Sequence, residues 1–321
     1  MNLAIRIGLL AAIVVTVQVP LGWRRLPREV RELDERIERG LDVVQFADSV
    51  NASYAPSDTD TRSVAQMLDA VLEDRHVDAI HHAAYQPAVY LAYLENLRAR
   101  GVTPKTVVVP INPHIFSPNW TMRPDWQFER ERFALGHPRL ASFVDPLMIF
   151  RAVSATEASM SAYVDAPVYE GRQVVGRLTS MAGPRSGDRE GDQTARIFTC
   201  HYMAQVHRWM PRVSDLEAIL ACVESMGCEL VVYITPIDVE EGERLLPGRF
   251  RNQVRANAEF LVRHFAGLGV TVHDFSAHCE HARFYWPVAP DEHLDEQGRA
   301  ALAGWIADAI RTAKPVGASG E

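Results

Sequence analysis

Short runs of β-branched and aromatic residues, each followed by a helical pattern, recur along this chain. In residues 41–51, LDVVQFADSVN, the apolar Val43, Val44 and Phe46 predict a buried strand that stops at Asp48-Ser49. A polar, turn-rich stretch at 51–60 leads into a helical pattern over 61–73. HVDAI at 76–80 predicts a second strand, and Pro87 opens a helix that closes at Gly101. KTVVVPI at 105–111 predicts a third strand, ending at Asn112-Pro113. The alternation resumes with a helix over 214–226, a strand over 229–235, a helix over 251–266, a strand over 270–274 and an amphipathic helix over 295–313. Strands separated by helices predict an α/β domain over 41–313 built on a parallel, doubly wound sheet.

Two regions depart from this rhythm. Residues 116–212 read as an insertion: an ordered loop rich in Pro and Trp, helices over 127–133 and 139–161, and a mobile polar loop over 183–193. At the other extreme, residues 7–23 are apolar apart from Thr16 and Gln18, with Arg6 in front. That length is near the lower limit of about 17 residues for a spanning helix, and no small-x-small cleavage site follows, so 1–23 are expected to be an uncleaved membrane anchor. Residues 24–40 predict an amphipathic linker helix with Leu33 and Ile37 on one face. Arg24, Arg25, Arg28 and Arg31 follow the apolar run, a pattern that by the positive-inside rule would keep the body in the cytoplasm. The tail, 314–321, reads as disordered.

Composition narrows the chemistry. With 47% hydrophobic residues and a net charge of −8, the chain can bury a full core and lacks the cationic excess that phosphate backbones require, which argues against nucleic acid as a partner. The four cysteines form no CxxC pair and call for neither a zinc site nor a disulfide framework. His273, His278, Cys279, Glu280 and His281 are clustered in sequence, at a spacing that fits no common zinc pattern, so no metal or cofactor is expected.

Polar residues fall just after the predicted strands: Asp48-Ser49, His82-Ala83-Ala84, Asn112, Asp238, and Asp291 with His293 before the last helix. A parallel sheet opens these ends on one edge, where ligands bind. Taken alone, Ser49 could simply cap a turn, Asn112 could be a turn residue and Asp291 could stabilise its loop. His82 and His114 lie near the same edge as structural or substrate-facing groups.

Taken together, Asp48-Ser49, Asn112 and Asp291-Glu292-His293-Leu294 resemble the SGNH/GDSL hydrolase superfamily. The resemblance covers the sheet-forming parts and leaves the insertion unexplained. It implies a flavodoxin-like three-layer sandwich with a five-stranded parallel sheet and acyl chemistry through Ser49, with His293 as base and Asp291 as its orienting carboxylate. Such a set works because a hydroxyl needs a base to take its proton, the base needs a carboxylate to fix its tautomer, and the oxyanion needs donors. Those donors would be the Ser49 N–H, a backbone N–H near Ala84 and the Asn112 amide, with Asn51 and Trp120 on the substrate side; Trp120 could equally anchor its loop. Ala47 replaces the usual glycine, no glycine occurs in 81–85, and strand three ends Pro-Ile-Asn. The Asp-x-His spacing is similar to the alginate O-acetyltransferase branch, with Leu294 where that branch has Trp.

The resemblance implies a membrane-anchored, extracytoplasmic enzyme that transfers or hydrolyses an O-acyl group, acetyl foremost, on a glycan or other cell-envelope hydroxyl. Its partners would be an acyl donor, a hydroxyl acceptor, the membrane and a membrane-bound acyltransferase. The alternative, suggested by the missing glycines, is a degenerate module that binds glycan or scaffolds an acyltransferase complex.

Overall fold

The structure is a computed structural model that describes residues 5, 8, 12, 16, 26–117, 120, 127–144, 189–285 and 292–317, the side chains of 143, 144 and 189–193 excepted. Five parallel strands, β1 (Val43–Ala47), β2 (Val77–His81), β3 (Thr106–Ile111), β4 (Glu229–Ile234) and β5 (Val272–Asp274), pair in the order β2-β1-β3-β4-β5. This is a flavodoxin-like doubly wound sheet, whose switch point lies between β1 and β3. The parallel five-stranded sheet read from the sequence is therefore borne out.

The strands are near-continuous apolar runs because both faces are covered. Alternate residues part to opposite sides: Val44, Phe46, Val107, Val109, Val232 and Ile234 enter one cluster, while Val43, Val108, Val231 and Tyr233 enter the other. Ten helices of more than one turn are described. In chain order they are α1 (Arg28–Arg39), α2 (Val64–Val71), α3 (Pro87–Ala99), α4 (Glu129–Gly136), α5 (Pro138–Val144), α6 (Arg189–Tyr202), α7 (Pro211–Met226), α8 (Val239–Leu245), α9 (Phe250–Ala266) and α10 (Glu296–Thr312). The first cluster is closed by α1, α3, α7 and α9, and the second by α2 and α10.

Local chemistry sets the boundaries. The helix expected from 61 begins at Val64, because Ser63 and Gln66 form a reciprocal capping box. Gly227 ends α7 at φ 70°, a left-handed turn that a side chain would strain. Asp295 caps α10, accepting from Gly298 N at 2.7 Å.

Several expectations need correction. The loop expected over 183–193 gives way to helix from Arg189, and α8 was not foreseen although Asp238 and Glu241 carry the signature of a capped start. The segment expected to be a linker, α1, is packed on the domain: Val30 and Leu33 are buried in the first cluster, and Arg130 meets Glu29 at 2.8 Å. Beyond Lys314 the chain is not loose at its start, since Pro315 bridges Glu229 and Val316 N donates to Cys228 O. Most of the expected anchor over 1–23 and most of the segment 139–161 lie outside the described residues. No helix among the described residues is long and apolar enough to cross a membrane.

One buried cation buckles two distant loops together. The Arg299 guanidinium, fully enclosed, donates to Asp58 Oδ2 at 2.7 Å, Arg62 O at 3.0 Å, Asp60 O at 2.5 Å and Leu294 O at 3.0 Å. Removing it strands the enclosed Asp58 carboxylate, so Arg299→Met is expected to cost about 3–5 kcal/mol in urea unfolding at neutral pH. The exposed Arg311→Ala should change stability by about 0.5 kcal/mol or less.

Candidate active site

At the end of β1, the buried Asp48 turns the chain into a one-turn helix, Ser49–Ala52, by accepting from Val50 N at 3.0 Å. Ser49 heads that turn, half-buried, at the switch point of the sheet. Its backbone N–H, at the first position of the turn, takes no hydrogen bond among the described residues. Asn51 points inward instead: its Oδ1 accepts from Tyr233 OH at 2.9 Å, and its amide nitrogen lies 3.5 Å from Asp48 Oδ1. It ties the turn to β4 and is buried away from the rim.

After β2, Ala84 adopts φ 66°, in the left-handed region that favours glycine. The glycine missing from 81–85 is thus replaced in sequence but retained in backbone conformation, at a penalty of about 1–2 kcal/mol. The Ala84 N–H has no hydrogen bond among the described residues, while the neighbouring Tyr85 N donates to His82 O. Ala84 packs on Trp120, Ile197 and Cys200, so a helix of the insertion, α6, reaches this part of the edge. Trp120 is itself buried and stacked on His114 with ring centroids 3.9 Å apart. It forms a wall beside Ala84, not an open platform.

The end of β3 carries a buried polar knot. Asn112 Nδ2 donates both to Asp48 Oδ2 and to Glu292 Oε2, each at 3.1 Å, and Asn112 Oδ1 accepts from His114 N. A carboxamide has two N–H hydrogens. Both are engaged here, so the Asn112 amide expected as an oxyanion donor is instead a crosslink between two carboxylates. The same Glu292 oxygen also meets His114 Nδ1 at 2.5 Å and accepts from Tyr202 OH at 3.1 Å. The sequence reading placed His114 at this edge only as a structural or substrate-facing group, gave Glu292 no role of its own within Asp291-Glu292-His293-Leu294, and did not name Tyr202.

The knot brings Asp48 and Glu292, the residues that precede Ser49 and His293 in the chain, within reach of one nitrogen. His293 is only 9% exposed, and its Nδ1 is buried without a hydrogen-bond partner among the described residues. Its ring lies beside that of Tyr285, whose N–H holds the His293 carbonyl at 3.0 Å. No hydrogen bond joins the Ser49 hydroxyl to the His293 ring in this state. Asp291 lies outside the described residues.

The fields in the knot oppose one another. Burial pushes Asp48 above the ordinary carboxylate value, helped by the charge of Glu292 and opposed by His114, Asn112 and His293. Burial pushes Glu292 up as well, but His114, with His293 and His201 behind it, overcomes that and holds Glu292 well below its ordinary value.

Farther along the edge, the buried Asp238 accepts from Glu241 N and pairs with His281 Nδ1 at 2.6 Å, leaving that histidine half exposed. His273 stacks on Phe275, and His278 packs on Phe275 and Trp305. These side chains of the clustered segment have other partners, and no metal-binding group of three or more appears among the described residues.

A depressed carboxylate stabilises the fold above its ordinary value, here 4.5, and that contribution disappears as pH falls through the lower folded-state value. The stability gap between the wild type and Glu292→Gln is therefore expected to be widest at pH 5–7 and to close on acidification below about 4.5. Asp48, shifted the other way, favours the fold most below its ordinary value and loses that contribution as pH rises through its raised value. Urea unfolding of Asp48→Asn and Glu292→Gln across this range should show pH trends of opposite sign.

No family model matches the chain, and no curated protein does. Among solved structures, the chain is similar to a carbohydrate acetylesterase from Sinorhizobium meliloti, at 9% identity and a TM-score of 0.37, over 85% of this chain and 99% of that one. It is also similar to the native aryl esterase of M. smegmatis, at 9% identity and a TM-score of 0.35, with the same coverage of both chains.

Proposed function

We propose that this chain is a serine esterase or O-acyltransferase in which Ser49 is the nucleophile, His293 the base and Asp291 the carboxylate that orients it. One observation carries the reading: a single amide, that of Asn112, ties the residue before Ser49 to the residue before His293 at the switch point of the sheet. The buried Nδ1 of His293, without a partner among the described residues, suits a carboxylate acceptor, which would fix the ring with Nε2 free to act on the hydroxyl.

In the proposed first step Ser49 Oγ attacks the acyl carbon while its proton passes to His293 Nε2. The oxyanion draws on the N–H groups of Ser49 and Ala84, which take no other hydrogen bond among the described residues. Collapse breaks the ester C–O bond, His293 protonates the leaving oxygen, and the acyl group remains on Ser49. Water or an acceptor hydroxyl then attacks, giving its proton to His293, and Ser49 leaves as the restored hydroxyl. Hydrolysis and transfer differ only in which hydroxyl arrives. The Trp120 wall against Ala84 favours a short acyl group such as acetyl. The acceptor in this reading is a glycan or other cell-envelope hydroxyl. Residues 7–23 are the proposed anchor and the body is extracytoplasmic, so a C-terminal alkaline phosphatase fusion is expected to be active.

Ser49→Ala is expected to abolish release of p-nitrophenol from its acetate, and a fluorophosphonate should label the wild type but not the variant. Undiminished release from Ser49→Ala would remove Ser49 from the mechanism. A wild type that takes no label would favour the glycan-binding module instead, a reading that the engaged amide of Asn112 supports.

A further inference from the structure

We infer that Glu292, the middle residue of Asp291-Glu292-His293, is a positioning residue that holds the base in place and makes the insertion part of the catalytic apparatus. This rests on the reading of Ser49 and His293 as nucleophile and base. Three donors from different parts of the chain converge on one oxygen of Glu292: Asn112 Nδ2 and His114 Nδ1 from the end of β3, and Tyr202 OH from α6. The carboxylate and His114 are both almost fully enclosed. A buried charge with three donors on one oxygen cannot slide without leaving some of them unpaired, so Glu292 fixes its segment to the β3 edge.

The residue after His293 is held just as firmly. Leu294 is fully buried in the second cluster, and its carbonyl accepts from Arg299. His293 therefore sits between two anchors with its backbone carbonyl held by Tyr285 N, and little freedom remains except in its own side chain. The anchor on the Glu292 side includes the last residue of α6, a helix that belongs to the insertion. A shift of α6 would pass through the Tyr202 hydroxyl to Glu292 and from there to the base.

The test uses the full chain and three readouts. Glu292→Gln keeps the shape and removes the charge. It is expected to lower kcat for p-nitrophenyl acetate about 100-fold, the effect of a misplaced base, with KM nearly unchanged. Tyr202→Phe removes one of the three donors and should lower kcat about 2- to 10-fold, again with little change in KM. The short His114–Glu292 hydrogen bond should give a far-downfield imidazole N–H proton resonance in the wild type and in Ser49→Ala, absent in Glu292→Gln. Should Glu292→Gln not fold, Tyr202→Phe and the proton resonance decide. Wild-type kcat in both folded variants, or no such resonance in the wild type, overturns the inference while Ser49 labelling still stands. Loss of labelling in the wild type overturns the underlying reading instead.

Discussion

Two carboxylates are buried side by side at the carboxyl edge of this sheet, and much of the site follows from how they are kept there. Asp48 and Glu292 share the amide of Asn112, and each would be expensive to enclose alone. The solution is unequal. Glu292 takes His114 and Tyr202 as further donors and stays ionised, whereas Asp48 has only Asn112, the weaker reach of Asn51 and the turn N–H of Val50, and is driven toward the neutral form. Environments that push neighbouring carboxyl groups apart in this way are a recurrent feature of working sites. Because Asp48 begins the Ser49 turn and Glu292 precedes His293, satisfying the burial requirement also ties those two segments together.

The sheet was legible because its strands write themselves as unbroken apolar runs, and each of the five appeared within a residue or two of its expected position. The polar residues that follow those runs were legible for the same reason: a doubly wound sheet leaves only one edge for them. What sequence could not show was direction. Asn51 looks like a rim residue one turn from Ser49, yet its side chain turns down to Tyr233. Asn112 looks like a free donor, yet both of its amide hydrogens have carboxylate partners sixty-four and one hundred and eighty residues away in the chain. Such pairings depend on tertiary contacts that no local pattern records.

Ala84 teaches a different lesson. A missing glycine reads as a broken motif when glycine is taken as a letter, but its role in such a turn is a positive φ. The turn keeps that conformation with a methyl group attached. The strain is tolerable because the surrounding residues fix the turn from outside: His82 O holds Tyr85 N, and Trp120, Ile197 and Cys200 close over Ala84. The positive φ and the glycine are separable, and a degenerate-looking sequence need not mean a degenerate backbone.

The insertion then ceases to be an addition beside the sheet. Its helix α6 supplies Cys200 and Ile197 to the wall over Ala84, His201 to the aromatic group around Trp120 and His114, and Tyr202 to Glu292. One helix thus touches the β2 turn, the β3 end and the segment that carries His293. A sheet edge needs such a cover for a physical reason: carboxylates and imidazoles interact strongly only where water is excluded, and an open edge excludes little.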